Sequence, residues 1–418
     1  MFYLHIDCNA YFASCEVATR PGTEGKPLVV ANDNEHGGGV ILALTAEAKA
    51  VGLKRGIPLF KVRQLLQQHK VIICPADHKK YRRISRAIMA DVVEQGIVLD
   101  FVQYSVDEFF GTLPLDDPDE ARHYTRKVKD MIWERHHIPV GCGLSSTYTL
   151  AKTATHFAKR YAGYRGICVL TDAKRERALS LLAVGDVWGV GRQNRKHLEA
   201  KGIATALDFA HAPEQLVYSL LNTAGVRTWQ ELNGQPAVTL ANHDRQKSIM
   251  QSRTFAVMIK DREALASEVA AFASRCAATL RTQQSLCSVV SVFIATNRYR
   301  DDLSQYRNSA SLRLEKPTAD TPTILKAAAT ILGRLFRQGY LYKQAGVVLS
   351  AIVPDEGHQL DLFTVQEDER RQRLMKLADS INRKFGDDSI TFGGGMSEGA
   401  QYFAPLGVTN MIWKRKTS

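Results

Sequence analysis

FYLHIDCNAYFASCEVA occupies residues 2–18. Its first half is rich in strand formers and reads as a β-strand over 2–7, with 9–18 as the turn and helix that follow. Asp7 closes this strand between Ile6 and Cys8, where a carboxylate is expensive to bury unless something cationic compensates. A second stretch of the same kind is FVQYSVDEFFGTL (101–113), a hairpin in which Asp107 and Glu108 interrupt an apolar pattern.

Working outward, strands alternate with helices. Residues 28–31 and 39–44 are strand-like around the polar loop NDNEHGGG, and TAEAKAVG (45–52) is a short helix stopped by Gly52. An amphipathic helix follows at about 78–95. DPDEARHYTRKVKDMIWERH then reads as a helix, IPVGCGLS as a strand, LAKTATHFAKRYA as a helix and GICVL (166–170) as a strand. This order implies an α/β or α+β domain over roughly 1–170. Residues 174–232 hold no convincing strand and form a small helical unit broken at WGVG, AKGI and TAG; the stretch from 233 to about 247 reads as a linker.

Beyond it the pattern is SIMQSRTFAVM (248–258, strand), a helix over 261–284 with Asp261 as N-cap, and strands at 286–297 and 308–315. A second helix opens at Thr321-Pro322, and a last strand spans 344–353. The order β-α-β-β-α-β is a ferredoxin-like split unit whose two helices cover one face of the sheet. Residues 354–418 read as a tail with short elements.

A chain of 418 residues, 45% hydrophobic and 23% charged, has the length of about three globular domains. No run of 18 apolar residues is present to span a bilayer. His5 and Asp7 stand where an export signal needs its apolar stretch, and the seven cysteines form no CxxC pair. A reduced cytoplasmic protein without a zinc ribbon is expected. The net charge is +12, and residues 248–352 hold 14 basic side chains against seven acidic ones. Such a local excess suits a polyanionic partner, or equally a surface tuned for solubility.

Oxygen-rich carboxylate sites suit Mg²⁺, which also holds substrate phosphates. Taken singly, Asp7 reads as well as a helix cap, and Asp107-Glu108 as a solvated turn. Both acids in apolar strands favour metal. Neighbours on a regular strand point to opposite faces, so Asp107 and Glu108 serve one site only near a bend or a strand end.

Asp7 followed by NAYFASCE, and YSVDEFF a hundred residues later, resemble the two acidic motifs of Y-family translesion DNA polymerases. TLAKTATHFAK (149–159) and DVWGVGRQNRKHLEAKGI (186–203) continue the resemblance, and VWGVG, RNSASLRL (307–314) and QLDLF (359–363) resemble the UmuC-type branch, the catalytic-subunit type of polymerase V. The resemblance implies an α+β multidomain right hand. Its parts would be a palm and fingers over 1–172 (fingers about 20–75), a helical thumb with a helix-hairpin-helix over 173–232, and a ferredoxin-like little finger over 248–353.

It also implies roles for residues. Asp7, Asp107 and Glu108 would hold two Mg²⁺ ions, with the carbonyl of Cys8 helping. Phe12 would be the steric gate against a ribonucleotide 2′-hydroxyl, with Tyr11 beside it, and Lys49 and Lys159 would grip the triphosphate. Gly189 and Gly191 of the hairpin would approach a phosphate, with Arg192 and Arg195 adding charge. The little finger would lay its open sheet on the duplex through Arg307, Asn308, Ser309 and Arg313. Gln359, Leu360, Asp361, Leu362 and Phe363 resemble the sliding-clamp-binding pentapeptide.

The implied activity is low-fidelity, template-directed DNA synthesis across lesions in SOS damage tolerance, on primer-template DNA and deoxynucleoside triphosphates. A sliding clamp, a UmuD-like dimer and RecA are the implied partners. Ala46, where many relatives have an aromatic, Tyr148, where many have a lysine, and the loop NDNEHGGGVILAL (32–44) depart from the pattern around the triphosphate. A non-catalytic DNA-binding or clamp-recruited accessory protein on this fold is the alternative, and the three intact acids weigh against it. A palm-fold cyclase would not need the modules after residue 174.

Overall fold

The order of elements follows from where apolar residues can be buried. In this computed structural model the described residues are 1–32, 39–240, 246–355, 365–386, 389–392 and 411–413. The chain divides into two units, Met1–Asn242 and His243–Ser418.

The first unit opens with β1 (Phe2–Cys8) and α1 (Tyr11–Ala18), joined through Ala10 in the left-handed conformation (φ 45°). A small sheet and its helices follow: β2 (Leu28–Ala31), β3 (Ile41–Leu44), α2 (Ala46–Ala50), α3 (Arg63–Gln68) and β4 (Ile72–Pro75). β4 lies parallel to β2. Next come α4 (His78–Glu94), β5 (Leu99–Gln103), β6 (Glu108–Leu113), α5 (Pro118–His136), β7 (Val140–Ser145), α6 (Tyr148–Arg160) and β8 (Ile167–Val169).

The larger sheet has the order β5-β6-β1-β7-β8, with β1 antiparallel to both neighbours. β1 is buried on both faces, so its side chains divide by parity. Leu4, Ile6 and Cys8 join the core formed with Tyr81, Ile88 and Val92 of α4 and Val128 and Ile132 of α5. Tyr3, His5 and Asp7 face α6 instead. α6 approaches closely because β7 has glycine at 143, where a Cβ would collide with the backbone of Ala151 and Thr155. This parity aims Asp7 at α6.

The expected all-helical stretch consists of α7 (Asp172–Leu181), α8 (Arg192–Glu199), α9 (Ala206–His211) and α10 (Glu214–Leu232), the last interrupted at Asn222, just before TAG. These helices share a core with Leu150, Ala154 and Phe157 of α6. The start of the expected linker is not loose. Buried Glu231 accepts hydrogen bonds from the amides of Ala237 (3.1 Å) and Val238 (3.0 Å) through one oxygen, and from Thr149 N (2.7 Å) through the other.

The second unit contains β9 (Ile249–Ile259), α11 (Arg262–Thr282), β10 (Ser285–Thr296), β11 (Arg307–Thr318), α12 (Thr321–Leu335) and β12 (Tyr342–Pro354) in an antiparallel sheet of order β11-β10-β12-β9. The split β-α-β-β-α-β order is present. Asp261 caps α11 by accepting from Ala264 N (2.8 Å), and α12 begins at Thr321-Pro322 with Asp320 as its cap. Both helices pack on the face that carries Val290, Val292, Val347 and Leu349.

The C-terminal stretch differs from the expected short elements. It forms α13 (Val365–Phe385), 21 residues long, before β13 (Ile390–Phe392) pairs with β14 (Met411–Trp413). Met375 and Ala378 of α13 are buried, and Asp379 receives a bidentate bridge from Arg281 of α11 (2.6 and 2.7 Å). The helix is largely charged, so its stability comes from this docking rather than from a broad apolar stripe. All seven cysteines are buried and unbridged.

Candidate active site

The site grows from one register step. Asp7 is paired with Glu108 across β1 and β6, and with Gly141 across β1 and β7. Partners opposite each other in a ladder share a face, so both carboxylates project toward α6. β6 starts at Glu108, and Asp107 lies in the bend before it. Ser105 Oγ donates to Asp107 Oδ1 (2.6 Å) and accepts from the amides of Asp107 (3.3 Å) and Glu108 (3.1 Å). Cys8 N donates to the Asp107 carbonyl at 2.9 Å. A bend at the strand end thus places both neighbouring acids by β1. The Cys8 thiol is inside the core, so the side chain itself is turned away.

Two lysines of α6 meet these acids. Lys159 Nζ is 2.5 Å from Asp7 Oδ1, and Lys152 Nζ is 2.9 Å from Glu108 Oε1. Gly141 makes the first contact feasible, because a Cβ there would stand 2.7 Å from Lys159 Cγ and 2.8 Å from its Cε. Burial raises the Asp7 carboxyl above its ordinary range against the opposing effect of Lys159, and the charges of Glu108 and Asp107 add to the rise. His5 lies between them, fully buried, with Nδ1 2.9 Å from Thr155 Oγ1 and Nε2 3.8 Å from Glu108 Oε1. Burial, reinforced by Lys152 and Lys159, holds its imidazole well below the ordinary histidine value, so it is neutral. A cavity of about 410 Å³ opens beside Asp7, lined by His5, Lys152, Thr155, His156, Lys159, Arg160 and Asp186.

The donors are hard oxygens of the kind a divalent ion takes, and their mutual repulsion is what such an ion relieves. Among the described residues no three acidic, histidine or cysteine side chains converge on one point. Lys152 and Lys159 pair with Glu108 and Asp7, and an ion would share or replace these contacts. The donor chemistry suits such an ion, and Asp7 and Glu108 present their carboxylates on one face of the sheet.

Lys152 is the member that sequence reasoning missed. Its ammonium lies 5.1 Å from the Tyr104 ring centroid, 5.5 Å from Trp188 and 6.0 Å from Phe110. Trp188 Nε1 donates to Tyr104 OH at 3.2 Å, so the tryptophan of WGVG packs on the acidic hairpin. The available signal was its spacing of seven from Lys159, two helical turns along one face of α6. Tyr148, one of the departures from the resemblance, is buried with its ring edge-on to Tyr3 (4.5 Å) and Phe110 (5.2 Å).

The remaining expected residues fall in three places. Tyr11 is inside the core and donates through its hydroxyl to the Tyr81 carbonyl (2.7 Å), whereas Phe12 is half-buried and stacked on the Tyr81 ring (4.5 Å, 16°). Lys49 is exposed on α2. Gly189 has φ 88° and lies under Thr228, while Gly191 is in ordinary extended backbone as the N-cap of α8. Arg192 is exposed, and Arg195 is held by Glu199 one turn on (2.7 Å). In the second unit Arg307, Ser309 and Arg313 line one exposed face of β11. Asn308 has the opposite parity and donates to Tyr306 OH (3.3 Å) on the helix side, so it does not join them. Gln359–Phe363 lie outside the described residues.

Residues 6–156 match the impB/mucB/samB family, and residues 246–362 match its C-terminal domain. Protein UmuC of Salmonella typhimurium is 33% identical over 398 residues, covering 94% of this chain and 93% of that protein. Protein MucB of Escherichia coli is 34% identical over 404 residues, with the same coverage. DNA polymerase IV 1 of Bacillus subtilis is 26% identical over 395 residues, covering 93% and 92%. Among solved structures, a chimeric Y-family DNA polymerase superposes with TM-score 0.67 at 21% identity, over 85% of this chain and all of that one. The alternating strands and the split C-terminal unit agree with the fold of this match. The chain belongs to the impB/mucB/samB family, as a UmuC-type Y-family translesion DNA polymerase.

Proposed function

We propose that this polymerase joins a deoxynucleotide to a primer 3′ end at Asp7, Asp107 and Glu108, with two Mg²⁺ ions as cofactor. The observation that carries this reading is the pairing of Asp7 with Glu108 beside the Asp107 bend, opposite two lysines of α6. Bound there, the ions would neutralise the phosphates and activate the attacking oxygen. The chain's own residues do the positioning. Asp7 and Glu108 present carboxylates on one face, and Ser105 holds Asp107 in its bend. Lys159, released from Asp7, reaches the triphosphate with Lys49, and Lys152 holds Glu108 in place. Phe12 stands where a ribose 2′-hydroxyl would project, so deoxynucleotides are selected. Neutral His5 adds no charge to the site.

Primer-template DNA and deoxynucleoside triphosphates are the proposed substrates. Residues 1–172, 173–232 and 248–353 serve as palm with fingers, thumb and little finger. Arg192 and Arg195, with Arg307, Ser309 and Arg313, supply phosphate contacts that are salt-dependent and largely blind to sequence. Gln359–Phe363 recruit a sliding clamp, and a UmuD-like dimer and RecA are further partners in the cytoplasm. No described helix is long and apolar enough to cross a membrane.

Replacing Asp107 by Ala tests the site. Incorporation measured by primer extension should fall at least about a thousandfold, roughly 4 kcal/mol, with DNA affinity nearly unchanged. Extension at a rate close to wild type would show that the acids are not the reaction centre.

A further inference from the structure

Behind Phe12 lies a charged network that the proposed chemistry does not use. Glu16, one turn along α1 from Phe12, is completely buried. Its Oε2 accepts from Arg20 Nε (2.8 Å), and its Oε1 meets Lys80 Nζ (2.7 Å) and the Tyr81 hydroxyl (2.7 Å). The Tyr81 ring is thereby held at its tip, and the Tyr81 backbone carbonyl, on α4, accepts from Tyr11 OH (2.7 Å). The Tyr81 ring lies nearly flat on Phe12 (4.5 Å, 16°), and His78 meets the Phe12 ring edge-on (5.5 Å, 83°). Burying a carboxylate is costly, and burial pushes the Glu16 carboxyl up. Hydrogen bonds from Lys80 and Tyr81 and the charges of Lys80 and Arg20 outweigh this and bring it below its ordinary value.

If α1 and α4 needed only to adhere, an apolar pair at 16 and 81 would serve. The charged arrangement does something that an apolar pair does not: it holds the tip of one ring at a fixed point. The hydrogen bond to Glu16 keeps the Tyr81 ring from swinging about its Cα–Cβ bond, and Phe12 rests on that ring.

We propose that Glu16 is a positioning residue for sugar selection, holding Tyr81 so that the Phe12 ring stays in place against a 2′-hydroxyl. The proposal rests on the reading of Phe12 as the steric gate. Discrimination by a packed ring depends on its not yielding, because a small displacement admits one extra oxygen atom.

The test is single-nucleotide incorporation by the full chain with a ribonucleotide and its deoxy counterpart, read as the ratio of the two efficiencies. Phe12→Ala, Tyr81→Phe, Glu16→Gln and the double variant Phe12→Ala with Tyr81→Phe are compared. Tyr81→Phe keeps the ring and its volume and removes only the hydroxyl, so it decides the matter if Glu16→Gln fails to fold. Both network variants should raise relative ribonucleotide use by about three- to tenfold, less than Phe12→Ala, and the double variant should be no more permissive than Phe12→Ala alone. That non-additivity separates a positioning role from general loosening of the fold. An unchanged ratio in Tyr81→Phe beside a permissive Phe12→Ala would overturn the proposal while leaving the gate intact. An unchanged ratio in Phe12→Ala itself would refute the gate reading, and the proposal with it.

Discussion

Gly141 and Gly143 are two residues apart on one strand, and adding a methyl group at each has opposite expected consequences. A Cβ at 141 meets the flexible stem of Lys159, whereas at 143 it meets the backbone of α6. Gly141→Ala should therefore fold with nearly wild-type stability but displace the Lys159 stem, and with it the reach of its ammonium to the triphosphate. Incorporation at limiting nucleotide should fall by about tenfold, the cost of one displaced cationic contact. Gly143→Ala should be strongly destabilised, in the manner of an overpacked core. Thermal unfolding and single-turnover incorporation on both variants check the contrast, and equal stability of the two would contradict it. The three acids were legible in the sequence because charge in an apolar strand is conspicuous. Lys152 was not, since a lysine on an amphipathic helix looks like solvated surface until its partner across the fold is known. Neither was the Glu16 network, whose α1 and α4 members stand some sixty residues apart in the chain.

At the scale of elements, the ferredoxin-like unit was readable because each part carries its own signal: alternation in β10, a cap at Asp261, proline at the start of α12. α13 lacked such a signal. It is held by the bridge to Arg281, which also donates to Ala319 O (2.7 Å) and Thr321 Oγ1 (2.9 Å). One guanidinium thus joins α11, the turn before α12, and α13. Asp379→Ala removes one of these attachments and leaves the other two. Amides of α13 should then exchange with solvent faster by one or more factors of ten, about 1.4 kcal/mol each, while those of β10 stay protected. Unaltered exchange in α13 would mean that its few buried side chains are sufficient to hold it. Asn308 marks the limit of sequence reading in the opposite sense: the resemblance groups Arg307, Asn308, Ser309 and Arg313 on one contact surface, yet strand parity sends alternate members to opposite faces.

At the scale of the whole molecule, two units with separate cores are joined through a short segment of chain. Unfolding is not expected to be a single two-state step, and one melting temperature would not describe it. The basic excess of residues 248–352 lies in the second unit and the acids of the site in the first. A change of salt should thus weaken the grip on a polyanion more than it alters the chemistry.

The buried cysteines convert this division into a clock. Cys8, Cys15, Cys74, Cys142 and Cys168 belong to the first unit, Cys276 and Cys287 to the second, and burial holds all seven thiols above their ordinary pKa. A thiol reagent can react only when the surrounding core opens, and the rate then reports the free energy of that opening. Mass spectrometry of pulse-alkylated peptides should show the two sets acquiring label at two distinct rates under mild denaturant. DNA, which favours the folded form of whatever it binds, should slow the set at 276 and 287 by mass action. A single common rate for all seven would show that the two cores open together.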